Sequence, residues 1–149
     1  MYIKIDNEYR MNYQTDLRPV FEAIQEYVTS LVWIIAGHNF NYLSNEYIDV
    51  RLNPKEDFIR LPGNELIEIV NNNKIQFKWG VLSGCKVIPD INNFDYDKWG
   101  LKNYSAEGYV YDDAEIEIDC YDGLFTIIRT ENSEIIEKLS DYFKREING

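Results

Sequence analysis

The segment Ala114-Glu-Ile-Glu-Ile-Asp-Cys120 alternates acid and apolar residues without a break, and Tyr121-Asp-Gly-Leu124 follows it directly. Alternation at period two marks a β-strand with unlike faces. Glu115, Glu117 and Asp119 share one face, and Ile116, Ile118 and Cys120 the other. Asp-Gly between two such runs predicts a two-residue type I′ hairpin, because both central residues of that turn take positive φ. Such a loop sets Cys120 opposite Phe125, Ile118 opposite Ile127 and Ile116 opposite Arg129 on the inner face. It sets Glu117 opposite Ile128 and Asp119 opposite Thr126 on an outer, solvated face. The chain is thereby committed to paired β-structure with one side that needs cover.

Signals elsewhere supply that cover. Tyr2 to Ile5 alternates and suits a short edge strand. Thr15 or Asp16 can cap a helix in which Pro19 needs no amide partner, with Leu17, Val20, Phe21, Ile24 and Val28 as its apolar stripe. Leu31 to Ala36 is a continuous apolar, β-branched run, predicted to be a central strand buried on both faces and ended by Gly37. Tyr47 to Leu52 reads as a further strand before Pro54. A helix is predicted over 64–72, stopped by Asn71-Asn-Asn73, which favours caps and left-handed turns. Ile75 to Leu82 follows as a strand with Ile75, Phe77, Trp79 and Val81 on one face. Residues 86–106, with Pro89, Asn92-Asn93 and Trp99-Gly100, read as a long loop of the kind that is often functional. An amphipathic helix capped by Asn132 or Ser133 closes the chain, its stripe formed by Ile135, Ile136, Leu139, Phe143 and Ile147. The order predicts a single α+β domain over 1–149: an antiparallel or mixed sheet with about three helices packed on it.

At 149 residues and 45% apolar composition the chain can fill one core without disulfides or metal. The two cysteines, Cys85 and Cys120, no apolar run of membrane-spanning length, and a first segment without a signal-peptide pattern predict a cytoplasmic protein with free thiols. Abundant Ile, Asn and Tyr with scarce Ala suit an AT-rich, bacterial or phage genome. Net charge is −11. That balance disfavours nucleic acid and anionic membrane as ligands, since both are held by clustered Lys and Arg. Solubility alone would explain an acidic composition, but not its distribution. Glu107, Asp112, Asp113, Glu115, Glu117, Asp119 and Asp122 fall in a stretch with no Lys or Arg between Lys102 and Arg129.

Two readings of that stretch compete. A solvated acidic face would block edge-to-edge aggregation. A docking face would present carboxylates roughly 6–7 Å apart to rows of Lys and Arg on a basic partner. Carboxylates so spaced on one strand cannot easily share a metal ion. A calcium loop starting at Asp95 fails, with Trp99 at the fifth position and Ala106 at the twelfth. Tyr109 and Tyr111 interleave with the acids, and Tyr96 and Trp99 precede them. Tyr and Trp offer rigid contact area at low entropy cost. The candidate partner-binding set is therefore Glu115, Glu117, Asp119, Asp112, Asp113, Tyr109, Tyr111, Tyr96 and Trp99.

Signs of catalysis are sparse. His38, the single histidine, is predicted at a strand end, where it could serve as a general base beside carboxylates. Ser83-Gly84-Cys85 lacks the flanking glycines of a nucleophile elbow. No phosphate-cradling motif is present. No catalytic residue, cofactor or metal is expected.

The chain resembles bacterial immunity proteins of polymorphic toxin systems, and a family of small uncharacterised proteins from low-GC Gram-positive bacteria. The resemblance lies in Leu61-Pro-Gly-Asn-Glu-Leu-Ile-Glu-Ile-Val-Asn-Asn-Asn73 leading into Ile75–Leu82, in the acidic strand and hairpin Asp119–Ile128, and in the closing helix 133–146. It implies a small acidic α+β protein that binds and neutralises a cognate toxin, often a basic nuclease; a monomer or weak dimer is expected. No residue role carries over from it. The alternatives are a small hydrolase or isomerase using His38 with carboxylates, and a regulatory or oligomeric scaffold contacting another subunit through 86–106.

Overall fold

The computed structural model describes residues 1–9, 11, 15–42, 49–53, 55–72, 75–95 and 109–149. Its elements are β1 (Tyr2–Ile5), α1 (Arg18–Ala23), α2 (Gln25–Thr29), β2 (Val32–Tyr42), β3 (Phe58–Pro62), α3 (Gly63–Asn72), β4 (Ile75–Cys85), a 3₁₀ turn (Ile91–Asn93), β5 (Ile116–Tyr121), β6 (Phe125–Thr130) and α4 (Ser133–Phe143). Six strands form one sheet in the order β1-β6-β5-β4-β2-β3, and every neighbouring pair is antiparallel. The architecture is α+β, as the pattern of periods predicts.

The helices pack on one face, where the apolar stripes direct them. Val20, Phe21, Ile24 and Val28 from α1 and α2, Leu66 and Ile69 from α3, and Ile135, Ile136, Leu139 and Phe143 from α4 are buried in one cluster. The cluster also holds Ile3, Ile5, Trp33, Ile35, Leu82, Ile116, Ile118 and Ile128 of the sheet. Asn132 caps α4: its side-chain oxygen accepts from Glu134 N–H at 3.0 Å and Ile135 N–H at 3.4 Å. The helix ends at Phe143, where Lys144 turns left-handed, so Ile147 lies beyond it and is exposed. Trp33 is fully buried, and its indole N–H donates to the carbonyl of Val28 at 3.0 Å, tying β2 to the end of α2.

Two strands depart from expectation. β2 does not stop at Gly37. That residue takes φ +57° at an irregularity between Ala36 and Asn39, and pairing with β4 resumes to Tyr42. A second irregularity, between Asn39 and Phe40, puts an extra residue on β4 between Phe77 and Trp79, so Ile75 and Phe77 join the helix-side core. Val81 packs in a second core on the opposite face, where Trp79 meets Tyr121. The expected strand at Tyr47–Leu52 is absent from its described part. Asp49 to Leu52 is a turn, closed by Leu52 N–H donating to the Asp49 carbonyl at 3.1 Å. The edge strand is β3, one segment later.

The turn has a chemical cause. The buried Asp49 carboxylate accepts from Arg51 N–H at 3.0 Å and binds its guanidinium in a fork at 2.9 and 2.8 Å. Asp16 and Arg18 repeat the device at the start of α1, with fork distances of 2.9 and 2.7 Å. The hydrogen bonds from Arg51 hold the Asp49 carboxyl below its ordinary 3.8. A depressed folded pKa adds stability that is complete above 3.8 and is lost as pH falls through the lower folded value. A carbon-detected NMR titration of Asp49 should therefore give a midpoint below 3.8; a midpoint at or above it would contradict the fork.

Candidate functional site

β5 lies between β4 and β6, and its alternation is realised as predicted. Ile116, Ile118 and Cys120 enter the helix-side core. The opposite face is not solvent. Glu117 and Asp119 are 0% and 1% exposed. The solvated acidic row is thus corrected: two of its three members are interior. Part of the lid comes from the segment after β4 and the segment before β5. Phe94, Val110 and Tyr111 pack on Ile34, Ala36 and Val81 in the second core. Phe94 meets Tyr111 and Phe58 edge-on, at centroid distances of 5.5 and 5.4 Å.

The hairpin register explains how the carboxylates are accommodated. Asp122 and Gly123 take φ +48° and +64°, and Leu124 N–H donates to the Tyr121 carbonyl at 2.8 Å, as a type I′ turn requires. Ladder pairing nonetheless resumes at Tyr121 opposite Phe125. That is one residue later than a two-residue loop allows, and a slip of one exchanges every partner. Glu117 therefore faces Arg129, while Ile116 faces Thr130. The guanidinium Nε stands 3.5 Å from Asp119 Oδ2 and 3.9 Å from Glu117 Oε1, with the Tyr2 ring centroid 5.2 Å from its central carbon. Arg129 is itself buried, as is Ser83, which lies opposite Glu117 on β4. The other Glu117 oxygen accepts from the backbone N–H of Val110 at 2.7 Å. The face is a buried charge cluster that joins three strands and a covering segment.

Asp112, Asp113 and Glu115 form a rim at its edge. Asp112 and Asp113 are exposed, and Glu115 is partly so. With Ala114, Asn132 and Glu131 they line an open depression. Lys86 Nζ lies 3.2 Å from Glu115, and the Met1 amino group 2.9 Å from Glu131. Burial pushes the Cys85 thiol up to about 11, with the charges of Asp113 and Glu115 adding to it. Burial, then Glu131, raises Tyr109 to about 12. Tyr109 is half-buried at this rim, whereas Tyr111 is interior and cannot reach a partner. Tyr96 and Trp99 lie outside the described residues. Glu131 was missed because it sits beyond the hairpin, 16 residues from Glu115 in sequence, and only the β5–β6 pairing brings it back.

His38 is placed inside β2 rather than at a strand end. It is half-buried and its ring stacks on Phe40 at 5.6 Å. Burial lowers its pKa, with Asp57 and Glu56 acting in the opposite direction. Both cysteines are free and buried. Among the described residues no group of three or more His, Cys, Asp or Glu could hold a metal ion, and no helix is long and apolar enough to cross a membrane.

No protein-family model matches the chain, and neither the curated proteins nor the solved structures contain a match to it.

Proposed function

We propose that this chain is a non-enzymatic, cytoplasmic immunity-type protein, monomeric or weakly dimeric, that docks a basic partner protein through the rim of Asp112, Asp113, Glu115 and Glu131. The observation that carries the reading is the division of the acidic stretch. Glu117 and Asp119 are buried beside the interior cation Arg129, while Asp112, Asp113, Glu115 and Glu131 line one open depression, with Lys86 beside Glu115 and the Met1 amino group beside Glu131. Val87 and Ile88, which directly follow the rim cation Lys86, are 68% and 60% exposed and add apolar contact area. Acidic groups flanked by exposed aliphatic side chains suit a protein surface better than a small cation. The same charge repels nucleic-acid phosphates. By the resemblance drawn above, the partner is a toxin domain, whose active surface the rim would obstruct.

Such a face steers association, so the on-rate should fall steeply with salt. The combined variant Asp112→Lys, Asp113→Lys, Glu115→Lys tests it. Native and variant chains, immobilised at low salt, are exposed to lysate of the source cell and the retained proteins identified. The native chain should retain a basic protein that the variant loses, and with that partner purified its association should be slower by roughly 10- to 1000-fold. Retention of the same proteins by both chains would reject the rim.

A further inference from the structure

We propose that Glu117 is a positioning residue, a buried latch that fixes the acid-bearing segment Tyr109–Ala114 on the sheet and so sets where Asp112 and Asp113 stand. The inference rests on the docking role assigned to the rim, but its first test does not need a partner.

The geometry is specific. Glu117 is on β5, in mid-sheet, and fully buried. One carboxylate oxygen accepts the Val110 N–H at 2.7 Å, and the other lies 3.9 Å from Arg129 Nε. A charged acceptor on a backbone amide in a dry environment is among the stronger hydrogen bonds available to a segment with no strand pairing of its own. Side-chain burial shares the task. Val110 and Tyr111 bury their side chains in the second core, and Ala114 N–H donates to the Tyr111 carbonyl at 3.2 Å. Asp112 and Asp113 are thus held between two fixed points: the latch and core on one side, and Glu115 N–H bonded to the Gly84 carbonyl at 2.8 Å on the other. Repulsion between adjacent exposed carboxylates would otherwise favour spreading them apart. A preorganised rim loses less freedom on binding.

The cluster's composition limits the global cost of removing the latch. Two carboxylates face Arg129. Removing Glu117 leaves Arg129 and Asp119 as a pair, so no described charge is stranded.

Glu117→Ala and Glu117→Gln are compared with the native chain by residue-resolved amide hydrogen exchange. Glutamine keeps an acceptor oxygen at the same place; alanine does not. Glu117→Ala should speed exchange of the Val110 amide at least tenfold more than that of the amides of α4 and of β2, and Glu117→Gln should restore most of the protection. Equal acceleration throughout the core would make Glu117 a general stability residue and overturn the latch. So would an unchanged Val110 amide, or a glutamine variant as fast as the alanine one. The docking consequence is read separately by capture from the same lysate. If Glu117→Ala releases the segment yet retains the rim-dependent basic protein as well as the native chain, the positioning role is overturned and the rim stands. If neither chain retains such a protein, the docking reading fails and the latch is upheld by exchange alone.

Discussion

Replacing Arg129 by Met is expected to lower the unfolding free energy by about 3–5 kcal/mol. Arg129 is buried and its guanidinium stands beside the buried carboxylates of Glu117 and Asp119. Methionine keeps much of the side-chain volume but leaves Glu117 and Asp119 together without the cation beside them, and burying like charges is the costly half of any interior ion pair. Denaturant unfolding followed by tryptophan fluorescence gives the number. A loss below 1 kcal/mol would show that the cluster is not a structural charge centre. The triple change Glu117→Leu, Asp119→Leu, Arg129→Met should recover most of the loss, since an apolar set of similar volume removes the desolvation cost altogether. Recovery should stop short by about 1–3 kcal/mol, because the Val110 N–H then has lost its acceptor.

The second large effect is at Gly63, where α3 begins against the end of α2. A methyl group there would lie 1.8 Å from the Val28 carbonyl oxygen and 2.9 Å from Thr29 Cα, all of it backbone. No rotamer can relieve that overlap, so the helices must separate. The same Val28 carbonyl accepts the buried Trp33 indole N–H, and Gly63 N–H itself donates to Leu31 at 3.0 Å, so separation strains both bonds. Gly63→Ala should cost about 3 kcal/mol or more, at the upper end of overpacking penalties. Gly80→Ala is the control. Its methyl would meet the Phe77 ring at 3.4 Å, an ordinary contact, so a change within about 1 kcal/mol of either sign is expected. Equal effects at the two positions would refute the close approach of α2 and α3.

Most of the architecture is legible in the sequence because it rests on local periodicity. The stripe of α1 and α2 is buried where its spacing directs it, that of α4 is buried as far as Phe143 but not at Ile147, and the alternation of β5 separates its side chains into two faces as read. What alternation cannot say is whether the polar face meets water. That depends on how many strands flank β5 and on what crosses above it, and both are long-range facts. One local signal did exist. Arg129 ends an otherwise apolar run, Phe125-Thr-Ile-Ile, across a tight hairpin from the acids. A cation in that position calls for a carboxylate opposite. The two-residue loop hid this, because its register turned Arg129 to the other face. The turn chemistry was read correctly and the pairing beyond it was not, since the dihedrals of Asp122 and Gly123 do not fix where the ladder resumes. β3 was missed for a similar reason: the apolar residues near Asp49 belong to a turn made by an Asp–Arg fork, and Phe58–Pro62 is short, with a proline at its end.

Under the proposed function the acids of one stretch have two fates: Glu117 and Asp119 are interior, and Asp112, Asp113 and Glu115 meet the partner. Carbodiimide footprinting of carboxylates, read by mass spectrometry on the free chain and on its complex with the captured basic protein, measures both at once. The prediction is rapid labelling of Asp112, Asp113 and Glu115 in the free chain, protection of all three in the complex, and no labelling of Glu117 or Asp119 in either. Labelling of Glu117 or Asp119 at the rate of Asp112, or rim carboxylates equally reactive in the free and bound chains, would contradict it.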